Sequence, residues 1–315
     1  MRVGSWNLRY DSQPDNVTVA DSLAALGDPL KEPSYLQNVS ERPWSTRRVR
    51  VAELLLNKGV EVIGFQEALV RQVKDLKELL GADWSYVGVG RDDGKEAGEY
   101  SPIFWKNSTL QLLDWDTFWT SKTPFEPSKY EGAGSYRICT VAHFKPHSGG
   151  TLTVLNTHMD DQSDDQRRLA ASLILYRARY EAVKTGGPVL VTGDFNSPPT
   201  GGDSGAYSIS VGALRPTAIN QTFAEKYSVN DGQLPDFKLL DLRGETARRS
   251  VSSNFATFTG FTPPNNASEW GRIDFVFSGS NGHVTSNAYH VDTALTDDGL
   301  YMSDHRPVFV DVSLE

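Results

Sequence analysis

Residues 303–312, SDHRPVFVDV, set an Asp-His pair directly in front of an apolar, β-branched run. Such a run reads as a strand, and the pair marks its polar end. The same join recurs along the chain: Asn7 in SWNLRYD, Glu67 in VIGFQEAL, His158 in LTVLNTHMDDQ, Asp194 and Asn196 in VTGDFNSPP, and Asp274 in GRIDFVF. Strands of packed sheets present their loops at a common edge, where binding and catalytic residues gather. These ends are therefore expected on one rim. They hold only carboxylates, carboxamides and imidazoles, the side chains of a metal-assisted hydrolytic site.

The pattern between these ends supplies the elements. RVGSWNL is a strand, and residues 11–44 after it are polar and rich in Pro, Asp and Ser, too long for a plain connection. Loops of that length are usually functional or carry short helices. A helix follows, with Ser45 or Thr46 as N-cap, Val51, Leu54 and Leu55 as its apolar stripe, and Gly59 as its stop. VEVIGF is a buried strand ending at Glu67, and an amphipathic helix spans about 69–80. WSYVGVG, SPIFWK, LQLLDWDTFWTS, RICTVAHF and TLTVLNTH read as strands, then a long helix runs from near Ser163 to Gly186-Gly187. PVLVTGDF, RIDFVFSG, a stretch near SNAYHVDT, and HRPVFVDVSL complete the strands; residues 197–245 have mixed helical character. Helix–strand alternation in both halves, with hairpins between, predicts an α/β four-layer sandwich, two packed mixed β-sheets flanked by helices. One domain is expected over residues 1–315.

No apolar stretch approaches the roughly 18 residues of a membrane helix, and MRVGSWNL lacks a signal-peptide core. Sequons at Asn16, Asn38, Asn107, Asn220 and Asn266 tilt towards secretion of a processed form, and the compartment stays open. The single cysteine, Cys139, excludes an intramolecular disulfide framework and a Cys-based zinc site; it reads as a buried apolar residue. The net charge of −9 argues against a protein that grips duplex DNA through many phosphates. No protein partner is expected. Among the rim residues, Glu67, Asn7 and Asp304 offer oxygen ligands that suit Mg²⁺, with Mn²⁺ as the alternative. A sparsely ligated ion keeps positions open for a substrate phosphate and neutralises charge in the transition state.

WNLRYD, QEAL, NTHMDDQS, GDFNSPP, RIDFVF and SDHRPV resemble, in order and from residue 3 to 312, the signature blocks of the endonuclease/exonuclease/phosphatase superfamily. SPIFWK, FWTS and GSYRICTVA look closest to an uncharacterised microbial branch. The resemblance implies a DNase I-like sandwich and a phosphoric ester hydrolase. It implies Glu67 as principal metal ligand beside Asn7 and Asp304. Asp194 would orient or deprotonate the attacking water, and Asn196 would hold that water and the phosphate. His305 would contact the scissile phosphate, with Asp274 fixing its tautomer. His158 matches the second histidine of the deoxyribonuclease and sphingomyelinase branches, a general acid near the leaving group. Arg9 stands where apurinic endonucleases carry a carboxylate, which speaks against a second metal there. Arg9, Arg47 and Arg137 are instead expected to bind phosphate oxygens.

The substrate expected from this reading is a small phosphodiester, sugar- or lipid-linked. The rivals are a nuclease on single-stranded or short nucleic acid, which needs a basic and aromatic groove, a sphingomyelinase-like phospholipase C, and a phosphomonoesterase with a closed cationic pocket. A non-enzymatic binding module ranks last. Blander readings exist for the parts: Glu67 as a helix-start carboxylate, Asp194 and Asn196 as turn residues. Asp274 resists one, because an acid inside an apolar strand must find a partner. His143, His147, His283 and His290 read as ordinary positions. Among the tryptophans, Trp44 and Trp270 are the best exceptions to core packing.

Overall fold

The computed structural model describes residues 1–36 and 40–315, so the sequon at Asn38 lies outside the described residues. In chain order the elements begin β1 (Arg2–Asn7), α1 (Val19–Ala24), α2 (Trp44–Lys58), β2 (Val62–Gln66), α3 (Val70–Leu80), β3 (Trp84–Val87) and β4 (Ile103–Lys106). Then come β5 (Leu110–Trp119), β6 (Ile138–Pro146), β7 (Leu152–His158), α4 (Asp164–Thr185), β8 (Val189–Asp194), α5 (Gly205–Ser210) and α6 (Gln221–Lys226). The last are β9 (Leu239–Asp241), α7 (Leu242–Glu245), β10 (Asp274–Gly279), β11 (Val284–Val291) and β12 (Val308–Leu314). They form two six-stranded mixed sheets, ordered β11-β12-β1-β2-β4-β3 and β5-β6-β7-β8-β10-β9.

Side chains alternate between the faces of a strand, and that alternation builds the layers. Val3, Val62, Val154, Leu190, Val276 and Val310 point between the sheets and join them in one apolar core. Their neighbours Trp6, Ile63 and Phe65 point outward, where Leu55 of α2 and Leu76 of α3 cover them. On the second sheet Val191, Phe275 and Phe277 face Leu173 and Ile174 of α4. Each fully buried aliphatic or aromatic side chain contributes roughly 1.5–3 kcal/mol against exposure. The helix–sheet–sheet–helix order is the four-layer sandwich expected from the sequence.

Followed towards the rim, the inward parity changes from apolar to polar. Ser5, Gln66, Asn156 and Thr192 are all buried. The Gln66 amide donates to Asn156 Oδ1 at 2.7 Å, and the Asn156 amide donates to the carbonyls of Phe65 and Pro102 at 2.7 and 3.0 Å. A side-chain bridge thus crosses between the sheets just below the rim. Gly64 permits it: a Cβ there would sit 2.3 Å from both Asn156 Oδ1 and Thr192 Oγ1.

One helix boundary differs from expectation. α2 starts at Trp44 with Pro43 as N-cap and no side-chain cap, because the Ser45 hydroxyl is spent on Asp15. Gly59 ends α2 in the left-handed conformation (φ 64°), and Ser163 and Gly186 bound α4, as expected. Trp44 is a buried helix residue and offers no stacking surface. The long segment after β1 carries the short helix α1. Cys139 is buried and free, and burial pushes its thiol pKa up. Among the described residues, no helix is long and apolar enough to cross a membrane.

Candidate active site

The parity that carries Val3 and Val154 inward also carries Asn7, His158, Asp194 and Asp274 inward at the strand ends. β1 and β2 run parallel with Asn7 opposite Gln66, which brings Glu67 beside Asn7. β7 and β8 run parallel with His158 opposite Asp194, and antiparallel β10 starts with Asp274 opposite Asp194. Asp304 and His305 precede β12, whose antiparallel pairing with β1 returns them to the same edge. The structure therefore assembles all of these residues.

A chain of contacts runs through them. Asp274 accepts from His305 Nδ1 at 2.9 and 3.1 Å. His305 Nε2 lies 3.7 Å from Asp194 Oδ2. Asn7 Nδ2 donates at 2.9 Å to Asp194 Oδ2 and at 2.9 Å to Glu67 Oε1. Glu67 Oε2 also accepts from the Tyr10 amide at 3.1 Å. Arg9, Glu67 and Asn196 hold positive φ of 55°, 61° and 46°. Such conformations cost non-glycine residues about 1–3 kcal/mol each and gather at functional sites.

The electrostatics follow from burial and neighbours. Burial opposes the charge on His305, but Asp274 and Asp194 outweigh it and raise the pKa well above the usual value. Burial and then Asp274 hold the Asp194 carboxyl above its ordinary range. Asp304 is raised by burial, with Glu67 adding to it while His305 and Arg9 oppose. Burial and the Arg137 charge push His158 down to about 3, so its ring is neutral near pH 7. Asn196 Nδ2 donates to the Met159 carbonyl at 3.0 Å, which orients its amide, and to His158 Nε2 at 3.2 Å. Nε2 is then an acceptor, and the ring proton is assigned to Nδ1.

One expected phosphate ligand is corrected. Arg47 is fully buried, and its guanidinium donates to the carbonyls of Leu8, Arg9, Arg42 and Met302. Arg137 is buried and pairs with Asp160 and Asp161 at 3.2 and 2.7 Å. Arg47 therefore presents no free fork to the rim, whereas Arg137 keeps Nη1 without a hydrogen-bond partner and its charge acts on His158. Arg9 does lie at the rim: it pairs with Glu41 at 3.1 Å, and its Nη1 is 4.0 Å from Glu67. Glu99 escaped the sequence reading altogether. It grips Arg91 at 2.6 and 3.0 Å and lies 3.7 Å from His158 Nδ1, from a loop without motif or periodicity.

A divalent cation fits this donor set. Among the described residues, Asp194, Asp274 and His305 each offer a ligand atom within 4.8 Å of one another. Within that group Asp274 and His305 already pair at 2.9 Å. Glu67 adds to the rise at the buried Asp304 carboxyl, and hard oxygen donors of this kind suit hard divalent cations. Asn7, as oriented, turns its amide nitrogen to both carboxylates and accepts from the Arg9 amide through Oδ1. It serves there as a brace between acids. A cavity of about 760 Å³ between α4 and residues 212–219 contains none of these residues.

The family model for the endonuclease/exonuclease/phosphatase family matches residues 4–305, and the chain belongs to that family. By class it is a phosphoester hydrolase. It is similar to an endonuclease/exonuclease/phosphatase from Bacteroides vulgatus, with 28% identity, a TM-score of 0.75, and coverage of 100% of this chain and 98% of that one. It is also similar to a mannosyl-6-phosphatase from Bacteroides thetaiotaomicron, with 27% identity, a TM-score of 0.75 and full coverage of both chains. TDP2 from D. rerio, complexed with single strand DNA product, shares the fold alone: 16% identity, a TM-score of 0.60, and 99% and 98% coverage. A search of curated proteins found no match.

Proposed function

We propose that the protein hydrolyses a small phosphoric ester with a divalent cation, Mg²⁺ or Mn²⁺, held by Glu67 and Asp304 beside Asn7. The observation that carries this reading is the unbroken sequence of contacts from Asp274 through His305, Asp194 and Asn7 to Glu67. When bound, the ion supplies Lewis-acid polarisation of a phosphoryl oxygen and neutralises its charge. The chain does the rest. Asp194, with its raised pKa, is a better base than an ordinary carboxylate and takes the proton of the attacking water. His305, kept protonated by Asp274, faces the charge that grows on the phosphoryl oxygens. As water bonds to phosphorus, the bond to the alcohol oxygen breaks; the departing oxygen takes its proton from solvent, and Asp194 returns the one it received to solvent.

In this reading Asn196 orients water and phosphate. His158, expected as general acid, is read here as the brace of Asn196: its ring is neutral and its Nε2 accepts from that amide. The expected substrate was a small phosphodiester. The similarity to a mannosyl-6-phosphatase over the full length of both chains supports a sugar phosphomonoester ahead of it. The nuclease reading stands behind both, since the net charge is −9.

The test is a rate comparison on a hexose 6-phosphate, a small aryl phosphodiester and a single-stranded oligonucleotide, at about 50 and 200 mM salt. The sugar phosphate is expected to be cleaved fastest, with a mild salt dependence. Oligonucleotide cleavage that outpaces it and collapses steeply with salt would replace this reading with the nuclease one.

A further inference from the structure

Sheet pairing sets Asn7 beside Glu67, while the Asp304 carbonyl is held from another side, by the Thr259 and Gly260 amides at 2.8 and 3.2 Å. In the β1–β2 ladder the register runs to Asn7 and Gln66, so Glu67 follows directly. The β1–β12 ladder, by contrast, stops at Ser5 opposite Val308, short of both Asn7 and Asp304. Across the seam the Trp6 indole donates to the His305 carbonyl at 3.1 Å, and two further latches join the segment after Asn7 to the segment before Asp304.

Arg47 stands there. Its Nη1 donates to the Leu8 carbonyl at 2.6 Å and to the Met302 carbonyl at 2.7 Å. Its Nη2 reaches the Arg9 carbonyl at 3.0 Å, and its Nε the Arg42 carbonyl at 2.9 Å. Leu8 and Arg9 follow Asn7, and Met302 precedes Ser303 and Asp304. A second latch crosses the same seam, the Ser303 hydroxyl donating to the Asn7 carbonyl at 2.7 Å. The neighbouring Arg48 shows the contrast, since it bonds a carboxylate, Asp75, at 2.8 Å. Arg47 is fully buried with carbonyls as its hydrogen-bond partners. Its charge is compensated at longer range, by Asp304, Glu41 and Asp11. A rigid fork with five donors meets all four carbonyls at once; the ammonium of lysine, a point with three donors, cannot meet all four.

We infer that Arg47 is the positioning residue that registers Asp304 against Asn7 and Glu67, and so shapes the cation site. This rests on the metal reading proposed above. A residue that orients ligands from behind typically accounts for roughly 10- to 100-fold in metal affinity.

The experiment titrates metal-free protein with Mn²⁺, following free Mn²⁺ by electron paramagnetic resonance, with thermal unfolding recorded alongside. Arg47→Lys keeps the charge and loses the fork. It is expected to bind Mn²⁺ about 10- to 100-fold more weakly than wild type while folded, with the rate at saturating metal falling far less. Ser303→Ala, a small change in the same seam, is expected to weaken Mn²⁺ in the same direction by a smaller factor. It carries the test if Arg47→Lys does not fold. A folded Arg47→Lys that melts lower yet binds Mn²⁺ like wild type overturns the inference, as does unchanged affinity in Ser303→Ala when only that variant folds. Glu67→Gln in the same titration separates the two claims. If it binds Mn²⁺ as wild type does, the metal reading itself fails, whatever Arg47 does.

Discussion

His305 carries its proton because Asp274 stands behind it. The ring is buried, which alone would favour the neutral form, and two carboxylates reverse that preference. A raised pKa in the folded state means that this ion pair stabilises the protein fully below the unfolded value near 6.5. That contribution is lost as pH rises through the folded value. In Asp274→Asn the His305 pKa is expected to fall, because the carboxylate that raises it is gone, and the alkaline limb of the pH–rate profile to move down with it. Histidine NMR titration of both proteins checks this, and an unmoved His305 resonance would remove Asp274 from the role. Asp274 and His305 were legible in the sequence because an acid inside RIDFVF demands a partner and SDH ends a strand. Arg47 was misread because residue type does not reveal whether a guanidinium is exposed or already paired. Glu99 was missed because its neighbour His158 is distant in sequence.

At the scale of elements, the start of α4 and the loop after β7 form one polar unit around Asp160. Its carboxylate accepts from the amides of Gly134, Ser135, Gln162 and Ser163 and pairs with Arg137. Gln166 of α4 accepts from the Asp160 amide at 3.1 Å and donates to the Thr120 carbonyl at 2.9 Å. Burial opposes the Asp160 charge, but the backbone amides and Arg137 prevail and lower its pKa. Its stabilisation is therefore present above the ordinary value of 3.8 and lost as pH falls through the folded value. Asp160→Asn is expected to cost about 1–3 kcal/mol near neutrality, and progressively less as the buffer is acidified below that value. Urea melts of both proteins across that pH range decide it; a cost independent of pH would contradict the charge argument. The sequence located both ends of α4, since Ser163 and Gly186 announce them chemically. It misplaced the start of α2, because Pro43 and Trp44 carry no capping side chain.

For the whole molecule, alternation along each strand does two jobs at once: apolar residues of one parity fuse the sheets, and the same parity at the rim becomes the site. That is why strand ends in the sequence were enough to find the rim and the four layers. Strand order was not legible, because the pairing of β1 with β12, near the two ends of the chain, and the polar bridge through Asn156 and Gly64 depend on contacts between distant segments. The central claim is that phosphoester hydrolysis at this rim needs a divalent cation held at Glu67. It is tested most directly by stripping the protein with excess EDTA, then restoring Mg²⁺, for wild type and Glu67→Gln on one hexose phosphate. The account predicts that the stripped rate falls by more than about 100-fold, beyond what loss of a supporting residue costs. Mg²⁺ should restore wild type but not the folded variant. An undiminished wild-type rate in excess EDTA, or a wild-type rate from Glu67→Gln, would contradict it.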